Sequence, residues 1–181
     1  MKKIFLNVIG SKEKILYWVI IFFLGCFIGW IYEELFYLFI EHTLYNRGFL
    51  YGPYLPVYGW GSVAIILFLK KYKKNPIFVF IAIMFLTGIL EYITGYIMWE
   101  IWNNRWWDYT GLFLNIDGYV CLRSVITFAI GGVMLIYIIE PAIIKLLSSA
   151  NRKKVLSIIC VIISIVFIID NLLAFLIRHP F

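Results

Sequence analysis

The sequence predicts an all-α membrane protein, a bundle of five transmembrane helices with its N-terminus inside the cell and its C-terminus outside. Composition indicates the class: 64% of the 181 residues are hydrophobic and 14% are charged, whereas about a quarter of the residues in soluble domains are charged. Five long apolar stretches indicate the number of spans, because crossing a ~30 Å hydrocarbon core takes about 20 apolar residues. The distribution of Lys and Arg indicates the orientation.

Basic residues alternate between rich and poor polar segments along the chain. The six segments that flank the apolar stretches contain four, one, four, one, four and one basic residues in order. Because cytoplasmic loops accumulate Lys and Arg, we expect the rich segments in the cytoplasm. The rich segments contain Lys2, Lys3, Lys12, Lys14, the run 70–74, Lys145 and residues 152–154, and the poor ones contain Arg47, Arg105 and Arg178.

The predicted helices cover about residues 15–40, 55–69, 76–102, 118–147 and 155–178, in a single polytopic membrane domain of residues 1–181. The second helix is short for a full crossing, and Pro53 and Pro56 lie among Gly and aromatic residues just before and at its start. Because Pro disfavours continuous helix, we expect this Gly/Pro-rich outer loop to be re-entrant. Irregular backbone at membrane depth has to lie against protein or a water-filled cavity.

The net charge of +6 predicts membrane lipids, and no nucleic acid, as the partner. The cations lie at predicted helix ends on one side, where each is worth about 1 kcal/mol against anionic head groups. The three cysteines have no paired spacing, and His42 and His179 have no ligand-type neighbours in the sequence. We therefore predict neither a metal site nor a cofactor.

Ionisable residues inside the predicted helices gather toward the outer side. At 1.5 Å per residue, Glu33 lies about 10 Å, Glu91 about 16 Å and Arg123 about 8 Å from the outer end of its helix. Such groups cost roughly 2.5–3.5 kcal/mol at a helix centre and usually face a bundle interior or a cavity. We expect them to line an outward-opening polar pocket, in which the Arg fork holds one carboxylate.

Helical spacing supports this orientation of the carboxylates. Gly25, Gly29 and Glu33 repeat every four residues, so the face that carries Glu33 has small residues that admit a neighbouring helix. A similar stripe of small or polar residues on helix three predicts a second closely packed face. It consists of Thr87, Gly88, Glu91, Thr94 and Gly95.

The same residues also allow structural interpretations, which the sequence leaves open. An Arg with carboxylates in a small bundle can be an ion pair that fixes helix register without any substrate. Asp170 can be an inter-helix hydrogen bond or a member of the site. The Trp-rich run can be an interfacial anchor. An aromatic anchor does not require a carboxylate, however, and Asp108 lies among these aromatic residues near Arg105.

Several motifs resemble one known family. GWIYEELFY, NRGFLYGPYLPVYGWG, ILEYITGY and RWWDYTGLFLNIDGYVCLR are similar to the bacterial family labelled putative ABC-transporter permease type IV, also called CmpB-like, to which the animal transmembrane protein 229 proteins are related. The resemblance covers roughly residues 29–141 and implies a multi-pass protein of the bacterial cytoplasmic membrane. The chain departs from the family at Phe128 and Ala129, where the family often has Trp-Gly. The residues that match the family's polar signature, and that the resemblance implies as ligand-binding, are Glu33, Arg47, Tyr58, Glu91, Trp107, Asp108, Tyr109 and Asn115, with Arg123 close behind.

The family label implies a transport function with a separate partner subunit. The sequence has no GxxxxGK[ST] loop, so any ATPase would have to be another chain. Both predicted internal cytoplasmic loops are only long enough to turn the chain, which argues against a conventional ABC permease.

Three functions remain open at this stage. The first is a transporter or permease-type protein that binds a small-molecule ligand in the outward-opening pocket. The second is an enzyme that acts on a lipid or lipid-linked substrate at the outer leaflet, with Glu33, Glu91 and Asp108 as catalytic candidates, because carboxylates in unlike surroundings can divide acid and base work. The third is a non-catalytic membrane subunit whose polar pairs serve packing.

Overall fold

The computed structural model describes residues 11–42, 48–103 and 105–178. Within these residues the chain forms five helices, as the sequence predicts. They are α1 (Ser11–Glu41), α2 (Pro56–Leu69), α3 (Pro76–Trp102), α4 (Leu122–Leu147) and α5 (Ala150–Leu173). A short 3₁₀ turn, Lys70–Tyr72, follows α2, and a π turn, Ala174–Arg178, continues α5.

Four of these helices are long and apolar enough to cross a membrane, among the residues that the structure describes. These candidate spans are Glu13–Phe39, Pro76–Ile101, Leu122–Leu147 and Ala150–Ile177. The remaining helix, α2, has 14 residues and is therefore only about 21 Å long at 1.5 Å per residue. It is too short to cross a ~30 Å core by itself, so the predicted number of helices is confirmed, whereas only four of them, and not five, are candidate membrane spans.

Capping residues define where the helices begin and end. The Asn75 side chain accepts a hydrogen bond from the Phe78 amide at 3.1 Å, and Pro76 occupies the first turn of α3. At the other end Asn103 adopts a left-handed conformation, and its N–H donates to the Trp99 carbonyl at 2.8 Å. The predicted bounds of α3 are therefore confirmed.

Helix α4 begins at Leu122, not at residue 118 as predicted. Asp117 and Gly118 have positive φ angles of 53° and 74°, which no helix can contain, and Ile116 pairs with Val120 in an isolated bridge. A capping box between Cys121 and Ser124 then starts the helix. The prediction failed because apolar periodicity does not reveal these turn conformations.

A π turn, Leu135–Ile139, widens α4 just before Glu140 and Pro141. Proline lacks an amide N–H, and its ring clashes with the carbonyl four residues earlier. A local widening of the helix relieves that clash, so the chain stays helical through Pro141.

The chain divides into two compact units, one of Met1–Val63 with Glu140–Arg178 and one that includes Ala64–Ile139. In the first unit, α1 packs against α5 and against the second half of α4. A hydrophobic core forms there from Cys26, Leu50, Tyr54 and Ala174, with Phe22, Phe49 and Phe167 packed around it. Residues 49–54 of the Gly/Pro-rich loop thus contribute to the core.

In the second unit, α3 and α4 form the main packing pair. The predicted small-residue stripe of α3 lies in this contact: Thr87 is 7% exposed, and a Cβ on Gly88 would meet Val125 at 3.2 Å. A Cβ on Gly95 would meet the Tyr119 ring at 2.8 Å. This stripe is therefore a closely packed face, as predicted.

Candidate functional site

Glu33 lies on α1 opposite the start of α2. Its carboxylate accepts a hydrogen bond from the Tyr58 phenol, and the side chain is partly buried. The predicted glycine face makes this contact possible, because a Cβ on Gly29 would overlap the Tyr58 ring and one on Gly25 would overlap Ser62. Two of the predicted site residues, Glu33 and Tyr58, are therefore brought together.

Glu91 is buried in the middle of α3 with 8% exposure. Its Oε1 accepts a hydrogen bond from the Tyr109 phenol at 3.1 Å, and its Oε2 accepts one from the Ser124 hydroxyl at 2.7 Å. Ser124 also accepts from the Cys121 amide at 3.2 Å as part of the α4 capping box. Glu91 therefore joins the segment that contains Tyr109 to the first turn of the following helix.

The segment 103–121 turns back along α3 instead of staying beyond its end. Ser124 contacts Glu91, which lies eleven residues before Trp102 at the end of α3, or about 16 Å along the helix. Tyr92 likewise donates a hydrogen bond to Asp117 of this segment at 2.9 Å. The start of α4 thus lies beside the middle of a helix of membrane-spanning length.

In the first unit, a non-helical segment likewise ends beside the middle of a long helix, just before α2. The Leu55 amide donates to the Cys26 carbonyl in the middle of α1 at 3.0 Å, and Gly59 packs against Cys26. Residues 48–55, which carry the Gly/Pro-rich motif, therefore end beside the middle of α1. Both non-helical segments end beside the centre of a membrane-length helix.

The WWDY motif folds the second of these segments onto itself. Trp107 donates from its indole N–H to the Tyr119 carbonyl at 2.8 Å. Asp108 accepts from the Thr110 amide at 2.9 Å and hydroxyl at 2.6 Å, and pairs with Arg105 at 3.0 Å. These hydrogen bonds all lie within the same segment, so Trp107 and Asp108 stabilise the conformation of this loop.

Hydrogen bonding and charge favour the ionised form of Asp108. The hydroxyl and amide of Thr110, followed by the Arg105 guanidinium, lower the pKa of this exposed carboxyl below its ordinary value. Arg105 in turn lies over the Tyr119 ring at 5.0 Å and the Trp99 ring at 5.5 Å. No described hydrogen bond joins Asp108 to Glu91.

Three further predicted residues have different outcomes. Asn115 donates to the Leu112 carbonyl at 2.9 Å and accepts from the Gly118 amide at 3.3 Å, which supports the turn before α4. Arg123 is the second residue of α4 and is exposed. Arg47, the third predicted basic or amide ligand, lies outside the described residues.

Asp170 binds the Gly/Pro-rich loop, a role that the sequence left open. Its Oδ1 accepts from the Tyr51 amide at 3.0 Å, and its Oδ2 accepts from the Gly52 amide at 2.8 Å and from the Tyr54 phenol. Burial of the ring, and then this hydrogen bond to Asp170, raise the pKa of Tyr54. Three donors from one short segment make Asp170 the anchor of the loop on α5.

Glu140 is a buried carboxylate that sequence reasoning passed over as a helix-end residue. It is 0% exposed, and its Oε1 accepts a hydrogen bond from the buried Tyr17 phenol at 3.2 Å. Its position inside the predicted helix 118–147 was the available signal, because an ionisable residue within a membrane helix usually faces the bundle interior. Among the described residues, no three His, Cys, Asp or Glu side chains are grouped as a metal site would need.

Comparison with known proteins gives one match. The sequence profile of the family described as "Putative ABC-transporter type IV" covers residues 20–175. The chain belongs to this family, as its motifs suggested. No curated protein and no solved structure matches the chain. Family and helix lengths together identify a transport-related membrane protein.

Proposed function

We propose, from this family membership and from the two descending segments, that the protein is the solute-binding membrane component of a transport system. One observation carries the proposal: α2 and α4 both begin beside the middle of membrane-length helices, after non-helical segments. Irregular backbone at that level occurs in membrane proteins where it is enclosed by protein or lines a cavity, and transporter sites use such interrupted helices.

The basic-residue pattern supports an approach from the outer side. If the Lys-rich ends lie in the cytoplasm, residues 48–55 and 103–121 enter from outside, and the solute would follow them inward. Glu91 then offers a carboxylate where segment 103–121 ends, and Glu33 offers one on α1 beside Tyr58 of α2. Arg123, exposed beside Ser124 at the level of Glu91, would bind an anionic group of the solute, because a charged side chain at that level usually faces a cavity or a partner.

Ligand-induced thermal stabilisation tests the proposal. The purified protein in detergent is screened against amino acids, organic anions and organic amines, because a ligand that binds the folded state raises the melting temperature. We expect at least one compound to stabilise the protein, and either Glu33→Gln, for a site within the first unit, or Arg123→Gln, for a site within the second, to reduce that stabilisation. Arg152→Gln is the matched control, because Arg152 is exposed and bonds only weakly to backbone carbonyls at 3.4 Å. Equal stabilisation of all variants would refute the proposed binding site.

A non-catalytic subunit is the second candidate, and a specific observation favours it. Trp107, Asp108 and Asn115 all form bonds within their own loop, as residues that only shape a docking surface would do. Co-purification of a separate partner chain, with no small molecule stabilising the protein, would support this function over solute binding.

A further inference from the structure

Residues 70–74, which join α2 to α3, contain four lysines and are called the lysine turn below. Hydrogen bonds give this turn a defined conformation. The Lys73 amide donates to the Lys70 carbonyl at 3.2 Å. The Tyr137 phenol, from the π turn of α4, donates to the Lys73 carbonyl at 2.8 Å. The fold therefore holds four like charges close together, although such charges repel one another.

The positive charge of the lysine turn is not neutralised by neighbouring carboxylates. Among the residues that the structure describes, no carboxylate forms an ion pair with Lys71, Lys73 or Lys74. Lys71 and Lys74 are exposed, and the Lys71 ammonium lies over the Tyr72 ring, 4.8 Å from its centroid. An anion at this turn would therefore accept charge-assisted hydrogen bonds from several ammonium groups and reduce their mutual repulsion.

A second basic cluster lies where α4 ends and α5 begins, and its cations have partners within the protein. The cluster consists of Lys145, Arg152, Lys153 and Lys154. Lys153 forms an ion pair with Glu13 of α1. The Arg152 guanidinium donates to the Lys145 and Leu146 carbonyls at 3.4 Å. Part of this cluster therefore connects elements of the fold, which the lysine side chains of the turn do not do through any described ion pair with a carboxylate.

Large apolar side chains are exposed on both sides of the lysine turn. They are Leu67 and Phe68 near the end of α2, and Ile77 and Phe78 in the first turn of α3. Tyr72 lies between the charged and the apolar parts, because its ring contacts the Phe78 ring, with centroids 5.1 Å apart, and also carries the Lys71 ammonium. Positive charge thus lies beside exposed apolar surface, at the first turn of a helix long enough to cross a membrane.

We infer that the lysine turn is a binding site for the head-group phosphate of an anionic phospholipid, whose acyl chains contact the exposed apolar side chains on either side. Lysine clusters next to membrane helices attract anionic lipids, and a phospholipid matches both the charged and the apolar part of this surface. An acidic protein surface would match the lysines but not the apolar residues beside them. The site is separate from the proposed solute site and does not depend on it.

Native mass spectrometry of the full chain in detergent tests this site, with phosphatidylglycerol and phosphatidylcholine of equal acyl chains as probes. We expect the natural sequence to bind phosphatidylglycerol more tightly than phosphatidylcholine. Lys71→Gln combined with Lys74→Gln should weaken phosphatidylglycerol binding by about 25-fold, at about fivefold for each lysine. Lys145→Gln combined with Lys154→Gln is the matched control, because both residues are exposed and the loss of charge is the same. This control should keep the tightly bound phosphatidylglycerol, and thermal unfolding verifies that each variant folds.

Two further arms separate a lipid from other anions. Inorganic phosphate should not displace phosphatidylglycerol, because it lacks acyl chains, and Ile77→Ser should weaken binding more than Ile130→Ser, at another exposed position. Displacement by inorganic phosphate would overturn the lipid assignment, and equal binding of the two lipids would exclude head-group recognition. An equal loss in both lysine pairs would indicate diffuse attraction by charge instead of a site. Binding of a partner protein that requires Lys71 and Lys74, without any effect on lipid binding, would also overturn the inference.

Discussion

Replacing Asp170 with alanine should detach the Gly/Pro-rich loop from α5. The carboxylate accepts hydrogen bonds from two backbone amides and one phenol, and a hydrogen bond to a charged group contributes about 1.5–3 kcal/mol. The sum is an upper limit, because Tyr51 is exposed and water can satisfy its amide once the carboxylate is gone. We therefore expect Asp170→Ala to lower the free energy of unfolding by about 2–4 kcal/mol.

Thermal unfolding in detergent measures this change. For a chain of this length, 2–4 kcal/mol corresponds to a fall of about 5–15 °C in melting temperature. Limited proteolysis should also cut residues 48–55 faster in the variant, because the loop loses its anchor. Asp170→Asn keeps one acceptor oxygen but points an amide N–H toward the donors, so we expect an intermediate loss.

Asn171→Ala provides the matched control. Asn171 is the next residue, is partly buried and donates only to the Phe167 carbonyl of its own helix at 2.7 Å. A bond of this local kind contributes little to helix stability. If Asp170→Ala had the same melting temperature as the natural protein, or if Asn171→Ala lowered the melting temperature equally, Asp170 would not be the anchor of the loop.

Three further changes test the packing of the site and the loop. Gly29→Ala should destabilise the protein by about 1–3 kcal/mol because the new Cβ overlaps the Tyr58 ring, whereas Gly131→Ala, with open space around it, should be neutral or stabilising in the same thermal assay. Ser124→Ala should lower the free energy of unfolding by about 1–3 kcal/mol, because the buried Glu91 carboxylate and the Cys121 amide lose their hydroxyl partner. Ser124→Thr should recover part of this loss when unfolding is measured with a chemical denaturant. The pKa of Asp108 is lowered in the folded protein, so the stabilisation that its ionised carboxylate provides is complete above the unfolded-state pKa of about 3.9. This stabilisation is lost as the pH falls through the folded-state pKa. Tryptophan fluorescence of the loop should therefore change over this acid transition, and Asp108→Asn should abolish the change.

Much of the helical framework could be predicted because it depends on local patterns. The spacing of Gly25, Gly29 and Glu33 along α1 correctly predicted a face that admits a neighbour, and the stripe around Glu91 did the same on α3. Both predictions need only the helical repeat and residue size. Membrane character likewise follows from segment length and composition alone.

The descending segments and their anchors could not be predicted in the same way. The partner of Asp170 lies more than a hundred residues earlier in the chain, and no periodicity encodes such a pairing. The start of α4 was misplaced because Asp117 and Gly118 adopt left-handed conformations, which residue type alone does not require. The outward-opening pocket stays a prediction, because the contacts described here concern Glu33 and Glu91 separately.

Tyrosine hydroxyls donate hydrogen bonds to several carboxylates of this chain. Glu33, Glu91, Glu140 and Asp170 each accept a hydrogen bond from a phenol. A phenol donates one hydrogen bond from a large apolar ring, so it can satisfy a carboxylate without adding a second charge that also needs burial. Two of the phenol donors, Tyr54 and Tyr109, lie in the non-helical segments, and their bonds hold segments that lack helical hydrogen bonds of their own. In these four tyrosines the ring supplies apolar surface while the hydroxyl binds an acidic group, two of which, Glu33 and Glu91, belong to the proposed function.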